Sequence, residues 1–435
     1  MRRRVAGIAP LGVVVMMSPA LMADTGAVDT PSPVTTVTAE DIESLPTQSA
    51  DDILKTMVQE GKVHLNIRGR AEIADQDGRD TSEAYTVRTR LGFTTGEYNG
   101  MSFHGDFEDI RAADDDRYNA AGLNGQPNRT VIADLEDTEL NQLYVNFKIP
   151  SLDANLRAGR QRIKLDDDRF IGNVGWRQNE QTFDAIRLDL EPADKVTVNY
   201  VYNWDVNRIF GPDANRDFES DSHFIRLSYG DDGIGQFTGF AYLLDFEGEA
   251  TAAANSSDTF GVRYEGDYAV KGDPEGPKLN YILSYARQSD AGDNPTDYDA
   301  DYWLADIKYV DNGCYFGAGY ELLGSDDGQF GFRTLLATGH KFNGWADVFL
   351  VTPADGLEDL YVYVGGNLPA GFKGRAVYHW FDPDEGSADF GEEFDAVVSK
   401  QLNENAELLA KYAYYNGGGA FEDIMRFWLQ LTLNY

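Results

Sequence analysis

The stretch "MRFWLQLTLNY", residues 425–435, alternates apolar with mostly polar side chains up to the last residue of the chain. Successive side chains of an extended strand point to opposite faces, so this stretch presents one continuous apolar face. That face carries Met425, Phe427, Leu429, Leu431, Leu433 and Tyr435. The same period recurs at residues 62–73, 195–206, 278–286 and 359–368. The sequence therefore predicts many β-strands, each with one apolar and one polar face.

The connections between these strands decide the fold class, because a soluble β-sandwich would alternate in the same way. Tight turns are expected over residues 149–154, 191–195 and 402–407, and long, acidic, glycine-rich connections over 112–137, 207–220 and 381–392. Short turns at one end and long loops at the other are typical of outer-membrane barrels, whose tilted strands need about 10 residues. We predict an all-β transmembrane antiparallel barrel over residues 61–435, in the outer membrane of a bacterial cell.

The number of strands sets the width of the barrel. We count roughly 19 candidate strands, of which the weakest is the glycine-broken stretch Phe330–His340. If that stretch lies outside the membrane, about 18 strands remain, with 16 as the alternative, because such barrels usually close with an even number. A barrel of this size leaves an aqueous lumen, whereas about eight strands would be filled by side chains. The expected function is passage of solutes.

The first 60 residues differ from the rest in composition. Three arginines, an apolar run over Val5–Met17 and small residues near Ala20 and Ala23 predict a secretory signal peptide over residues 1–23. Residues 24–60 are predicted to be a periplasmic leader that ends in a short helix within "SADDILKTMVQEG", residues 49–61. We expect that helix to pack under the barrel, because an isolated helix this short needs docking to persist.

Composition excludes several classes of protein. The formal net charge of −36 makes nucleic acid an unsuitable partner. The single cysteine, Cys314, permits neither an internal disulfide nor a cysteine metal cluster, and we expect no metal and no cofactor. The sequence contains no G-x-S-x-G, H-E-x-x-H or P-loop pattern, so no catalytic residue is predicted and the chain is not expected to be an enzyme.

The segment "GRQRIKLDDDRFIGNVGWRQNEQTFDAIRLDL", residues 159–190, carries an unusual density of charge. Lipid cannot accommodate that density, so the segment must lie in a loop or in the lumen. Arg160 and Arg162 match the parity of the apolar Leu156 and Ala158, so a bulge or a strand end is needed to turn them inward. The charged residues of interest are Arg160, Arg162, Arg169, Arg177 and Arg187 with Asp166, Asp167, Asp168 and Asp184.

Residues 159–185, together with "FRTLLATGHKFNGWADVFLVTPADGLEDLYV" (332–362) and "ADDILKTMVQEGKVHLNIRGR" (50–70), resemble the signature segments of the alginate-export family of outer-membrane barrels. The resemblance implies a single-chain barrel of about 18 strands with an arginine-lined constriction that passes an anionic polyuronate. Carried over to this chain, it makes Arg160, Arg169, Arg177 and Arg187 candidate constriction residues. Asp166, Asp168 and Asp184 would orient them.

Four further arginines are predicted to line the lumen on the first two strands, namely Arg68, Arg70, Arg88 and Arg90. With these arginines in the lumen, we predict an outer-membrane channel for passive passage of hydrophilic, mainly anionic solutes, such as an anionic polysaccharide or a small acid. Two alternatives stay open: the arginines form a salt-bridge lattice that stiffens the wall, or the acidic external loops serve binding or adhesion. The expected partners are membrane lipid, lipopolysaccharide and, through the final strand, the barrel-assembly machinery.

Overall fold

The structure is a computed structural model that describes residues 49–231, 235–248, 250–272 and 276–435. The predicted signal peptide and residues 24–48 of the predicted leader lie outside the described residues. The helix α1 spans Ala50–Gln59, and a single helical turn, α2, spans Ala250–Ala253.

Twenty strands follow α1 in chain order. They are β1 Lys62–Gln76, β2 Ser82–Thr94, β3 Met101–Ala112, β4 Asp137–Ile149, β5 Ala154–Gln161, β6 Thr182–Ala193, β7 Val196–Asn207, β8 Phe218–Asp231, β9 Gly235–Leu244, β10 Ser257–Ala269, β11 Lys278–Asp290, β12 Asp299–Asp311, β13 Cys314–Leu323, β14 Ser325–Asp326, β15 Phe330–Gly331, β16 Leu357–Asn367, β17 Phe372–Asp382, β18 Glu392–Asn403, β19 Ala406–Asn416 and β20 Ile424–Asn434.

Eighteen of these strands form one closed antiparallel sheet. Each strand pairs with its neighbour in sequence, and β20 returns to β1 with Asn434 opposite Asn66 and Ile424 opposite Gln76. Leu65 and Tyr435 exchange two backbone hydrogen bonds, of 3.0 and 2.8 Å, at the end of this seam. The closed barrel of about 18 strands is therefore confirmed. Within the described residues, closure leaves the eighteen-stranded sheet without an unpaired edge strand, which lipid would not tolerate.

The doubtful candidate strand at residues 330–340 lies outside the barrel wall. Its first residues form β15, which pairs only with β14, and a 3₁₀ turn follows at Gly339–Lys341. Phe332 and Leu336 are fully buried in a cluster inside the barrel instead of facing lipid. The strand count of 18 follows from this placement.

The alternation read from the sequence separates lipid from lumen. On β20, Phe427 and Leu429 are 37% and 45% exposed on the outer surface, whereas Trp428 between them is 0% exposed. In the part of the chain that the structure describes, neither helix contains an apolar stretch that could span a bilayer.

Helix α1 docks at the end of the barrel where the turns are short. The amide of Gly96, in the turn between β2 and β3, donates a 2.7 Å hydrogen bond to the carbonyl oxygen of Met57. Met57 is the buried residue of the helix. The predicted short helix under the barrel is confirmed.

Two long connections at the other end fold into the lumen. We call residues 162–181, between β5 and β6, inner loop 1, and residues 324–356, between β13 and β16, inner loop 2. Apolar side chains of both loops pack against inward-facing aromatic side chains of the wall to form the main buried cluster. These side chains include Ile163, Leu165, Ile171, Leu336 and Phe349 from the loops and Phe224, Tyr242, Tyr302 and Phe381 from the wall. The core of this barrel therefore lies inside it.

We predict that deleting residues 427–435 prevents closure, because β1 loses the partners of residues 66–73 and its backbone groups cannot be satisfied in lipid. The unboiled protein should then run on a denaturing gel at the position of the boiled one. Deleting residues 386–389, in the long connection between β17 and β18, is the control and should leave the heat-dependent shift intact. A truncated chain that kept this shift would contradict closure through β20.

Candidate channel lumen and basic chamber

Backbone hydrogen bonds join the two inner loops across the lumen. The amide of Gly172 donates to the carbonyl oxygen of Leu336 at 2.8 Å, and the amide of Thr338 donates to that of Asp168 at 3.0 Å. The hydroxyl oxygen of Thr338 accepts from the amide of Val174 at 3.1 Å. The loops therefore form one joined layer, which carries functional side chains from segments more than 150 residues apart.

A buried lysine of the wall holds this layer. The ammonium of Lys411, on β19, lies 3.8 Å from the ring centre of Trp345, 4.2 Å from that of Trp176 and 5.3 Å from that of Trp428. It also lies 2.6 Å from Nε2 of His340. We call these five residues the lysine cage. Cation–π attraction is strongest where water is excluded, so the cage ties both loops to β19 and β20.

His340 is neutral in the cage. Its Nε2 accepts from the ammonium of Lys411, and its Nδ1–H donates to Oδ1 of Asp347 at 2.7 Å. Burial lowers the pKa of His340 to about 3, against the opposing effect of Asp347. Although burial acts to raise the pKa of Asp347, the neighbouring His340 and Arg177 hold it below its ordinary value.

Ion pairs extend from the cage to the wall. Arg177 of inner loop 1 pairs with Asp347 of inner loop 2 and with Glu72 of β1, at 3.4 Å from the latter, and Arg426 of β20 also reaches Glu72 at 3.2 Å. All four side chains are almost completely buried. Removing one member would leave a charge buried without its partner, so these pairs fix the position of the loops.

Two more buried arginines belong to the same lattice. Arg70 pairs with Asp134 of the connection between β3 and β4 at 3.2 Å, and Arg169 pairs with Glu321 of β13 at 2.7 Å. Arg70 also lies over the ring of Trp176, 4.4 Å from its centre. The role of Arg70, Arg169 and Arg177 is therefore structural, and solutes do not reach their side chains.

A cavity of 860 Å³ lies between inner loop 1 and the wall formed by β1 to β6. It is near the end with the short turns, since the ends of β1 and β20 line it. Its cations are Arg68, Arg88, Arg90, Arg157, Arg162, Lys164 and Arg187, and its carboxylates are Asp106 and Glu180. We call this cavity the basic chamber.

Three carboxylates just outside the lining offset part of this charge. Glu108 pairs with Arg90 and, at 3.8 Å, with Arg88; Asp168 lies 3.2 Å from Lys164; and Asp189 lies 2.9 Å from Arg187. With these three included, seven cations face five carboxylates. The chamber keeps an excess of positive charge.

Glu180 organises the cations at the edge of inner loop 1. It pairs with Arg162 and, at 3.0 Å, with Arg90, and it accepts a 2.9 Å hydrogen bond from Asn141. Burial acts to raise its pKa, but the two guanidinium groups outweigh burial and lower the pKa far below the ordinary value. Glu180 is thus a permanent anion that fixes Arg90 and Arg162 in place.

Two arginines of the chamber have partners other than carboxylates. Arg68 donates to the carbonyl oxygens of Gly175, Trp176 and Arg177 at 3.0 to 3.2 Å. Arg157 lies over the ring of Tyr144, 4.4 Å from its centre, and donates to Asn146 at 3.4 Å. Their positive charges are therefore available to a passing anion.

Two members of the triple aspartate of inner loop 1 pair with the wall. Asp166 pairs with Arg226 at 2.7 Å and Asp167 with Arg263 at 3.0 Å, while Asp168 pairs with Lys164. Asp166 and Asp167 thus neutralise arginines of β8 and β10, whereas Asp168 stays within the inner loops, where Lys341 also lies 3.7 Å from it.

Arg160 and Asp184 lie elsewhere than the constriction expected from the sequence. They pair with each other at 2.8 Å, and Arg160 is opposite Leu143, which is exposed on the outer surface. Directly opposed residues share a face, so this pair faces outward, whereas Gln161 and Phe183 are buried on the inner face. The strand ends at Gln161, and only after that end can Arg162 turn inward to Glu180. Of the two possibilities, a bulge or a strand end, the structure uses the strand end, and it turns only Arg162 inward.

Sequence reasoning missed several residues of the lumen. Arg157 carries a readable signal, because its parity is opposite to that of Leu156 and Ala158. Glu180 and Asp347 lie in irregular loops, where no periodicity shows which way a side chain points. The partners of Lys411 come from three other segments of the chain, and single-sequence patterns do not report such contacts.

One group of acidic residues has the proximity that a metal ion would need. Among the described residues, the only such group is Asp114, Asp115 and Asp116, all exposed on the long connection after β3. The carboxylate of Asp114 accepts from the amide of Asp116 at 3.2 Å and caps a short 3₁₀ turn. Capping of this turn therefore explains the position of Asp114 without a metal ion.

A closed barrel with an apolar outer surface and a charged inner chamber defines a porin-like channel of the outer membrane. The chain belongs to the alginate-export family, whose sequence profile matches residues 60–324. No curated protein sequence matches the chain.

Solved structures of outer-membrane channels share the fold. OccAB4 of Acinetobacter baumannii is 14% identical, with 86% of this chain and 98% of that chain covered and a TM-score of 0.68. OccK8 (OprE) of Pseudomonas aeruginosa is 14% identical, with 87% and 99% covered and a TM-score of 0.67. OpdK of Pseudomonas aeruginosa, solved with vanillate, is 11% identical, with 87% and 99% covered and a TM-score of 0.66. Outer-membrane barrels carry their short turns on the periplasmic side, and on that ground we assign the end with the short turns to the periplasm.

We predict that Lys411→Met loosens the inner loops by about 1–2 kcal/mol, because the cage loses its cation while the desolvation cost of that cation also disappears. Trypsin should then cleave at Arg177 or Lys341 about 5- to 30-fold faster. Lys400→Met, which removes a cation that lies over the single ring of Phe372, is the control and should leave the cleavage rate unchanged. Equal cleavage of both variants would count against the cage.

We predict that the loops open more often as the pH falls from about 6.5 towards 3. The pKa of His340 is about 3 with the loops docked, so the docked loops bind fewer protons in this range than opened loops with an ordinary imidazole. Docking is fully stable above about pH 6.5 and weakens below it. Single-channel current fluctuations should increase on acidification, and His340→Gln should reduce that increase. An unchanged response in His340→Gln would assign the effect to other groups.

Proposed function

We propose that this channel passes anionic solutes passively and that the basic chamber selects them. The observation that carries the proposal is the composition of the chamber wall, where seven cations and two carboxylates line 860 Å³. A volume of this size falls within the range of about 300–1,000 Å³ that small-molecule sites occupy. The family description names alginate export, and a uronate chain is a suitable solute because it repeats one carboxylate per sugar ring.

The chain as a whole is acidic, with a formal net charge of −36, but the distance of each charge from the solute decides selectivity. Carboxylates in the long external loops are screened by salt within about 8–10 Å. Arginines in a narrow lumen act on a solute at contact distance and through little intervening water. The local excess of cations therefore outweighs the distant excess of carboxylates.

The remaining features follow the layout expected for such a channel. We propose that residues 1–23 are removed on export, that residues 24–60 form a periplasmic segment ending in α1, and that the barrel spans residues 61–435. The apolar outer surface contacts membrane lipid, and we propose lipopolysaccharide as its outer-leaflet neighbour. The aromatic C-terminal strand is the segment that we propose the barrel-assembly machinery binds. We further propose that the chain acts without catalysis.

We predict that Arg157→Gln with Arg187→Gln shifts the channel towards cations, as measured by the zero-current potential under a salt gradient. Two unit charges about 7 Å apart in water interact by about 0.6 kcal/mol, so each charge removed should lower the permeability of an anion and raise that of a cation about two- to threefold each, and change their ratio about four- to ninefold. The loss of Arg187 also leaves Asp189 without its ion-pair partner.

The matched control is Arg287→Gln, which removes an exposed arginine that pairs with Asp299 on β12. It should leave the potential unchanged, because Arg287 does not line the chamber. A wild-type channel with a cation-selective potential would overturn the proposed selectivity.

A further inference from the structure

A second cavity of 480 Å³ lies against the opposite wall of the lumen, formed by β11 to β17. It shares no lining residue with the basic chamber. Tyr315, Tyr361 and Tyr363 line it from the wall, and Phe342 and Trp345 line it from inner loop 2. We call it the tyrosine chamber. Like the basic chamber, it is near the periplasmic end, because Tyr315 lies one residue beyond the start of β13.

Two cations of the tyrosine chamber have no carboxylate as an ion-pair partner among the described residues. Lys308 lies over the ring of Tyr315, 6.0 Å from its centre, and Arg375 lies over the ring of Tyr363 at 5.1 Å. Arg375 is exposed and Lys308 is half-buried. Both can therefore meet a solute from the periplasmic side.

Each carboxylate that lines the tyrosine chamber has an ion-pair or hydrogen-bond partner within the protein. Glu321 binds Arg169 at 2.7 Å, Asp359 binds His379 at 2.8 Å, and Asp167 binds Arg263 at 3.0 Å. Asp306 accepts hydrogen bonds from the hydroxyl groups of Tyr361 and Tyr363 at 3.0 and 2.8 Å. The unpaired groups that remain are thus mostly cationic.

Residues 341–345 of inner loop 2 close the tyrosine chamber on one side. Asn343 of inner loop 2 donates to Glu321 at 2.7 Å and to Asp359 at 3.1 Å, which pins residues 341–345 to the wall. A polymer could not thread through a space that is closed in this way. The space suits one ring, since aromatic walls pack against flat apolar faces and fixed cations hold a carboxylate.

We propose that the tyrosine chamber is a second binding site, which takes a single-ring carboxylate, with the carboxylate at Lys308 or at Arg375 and the ring among the tyrosines. Aromatic acids and sugar acids share this chemistry. The site does not depend on the selectivity of the basic chamber, so either proposal can fail without the other.

The test is calorimetric titration of the full-length barrel in detergent with benzoate, glucuronate, acetate and glucose. The background is Arg157→Gln with Arg187→Gln, which weakens the basic chamber. In this background we expect benzoate or glucuronate to bind and acetate and glucose to bind at least about tenfold more weakly, because each lacks the ring or the charge. The stronger of the two ring carboxylates identifies the source of the ligand as an aromatic acid or a sugar acid.

Adding Lys308→Gln and Arg375→Gln should weaken the binding of the ring carboxylate by about tenfold or more. Adding Lys373→Gln instead, a cation two residues from Arg375 that does not line the chamber, should have no effect. The heat-dependent gel shift establishes that each variant is folded, and the single variants Lys308→Gln and Arg375→Gln carry the same test if the double variant does not fold. Binding that is already lost in the background, or that survives removal of both cations, overturns the proposal.

Discussion

Lipid offers no hydrogen-bond partner to a backbone amide, and the rest of this structure depends on how the chain meets that constraint. The seam between β1 and β20 satisfies the last free edge and turns a sheet of eighteen strands into a barrel. Once the barrel is closed, alternate side chains necessarily point into a space that water can enter. The charged residues of every strand are then confined to the lumen or to the ends of the barrel.

A barrel this wide would have an open lumen unless something occupied it, and here inner loops 1 and 2 do. Loops that carry charge into a lumen need many favourable contacts, because ordering about fifty residues costs conformational entropy. The lysine cage and the buried ion pairs of Glu72 and Asp347 provide directional contacts at the points where the loops meet the wall. Apolar packing of Ile171 and Leu336 adds a contribution that has no direction. The loops are thus part of the wall that a solute encounters, and their position defines both chambers.

The parts of this structure that the sequence predicts are those with a period. Alternation in "MRFWLQLTLNY" gives the strand, its lipid face and its inward Arg426, because a side chain's face depends only on its parity. Parity also places Arg68, Arg88 and Arg90 on the inner face correctly, but it does not tell which arginines a loop will cover. Arg70 has the same parity as Arg68 and is nevertheless buried against Asp134, which lies 64 residues away. Such long-range ion pairs decide whether an arginine has a structural role or contacts a solute.

Arg160 shows the limit of parity in the opposite direction. Arg160 has the same parity as the apolar Leu156, which favours an outward position, whereas the resemblance to a family of anion channels favoured an inward one. The strand continues through Arg160 without a bulge, so the side chain faces outward. The charge density of residues 159–190 led to the expectation that its arginines would act together, yet they separate into three environments. Arg160 faces outward, Arg169 and Arg177 lock the loops, and Arg162 and Arg187 face the basic chamber. Residues 159–190 therefore contain both the buried ion pairs that hold the loops and the arginines that face the basic chamber. Each buried arginine pairs with a carboxylate that would otherwise repel an anion in the lumen.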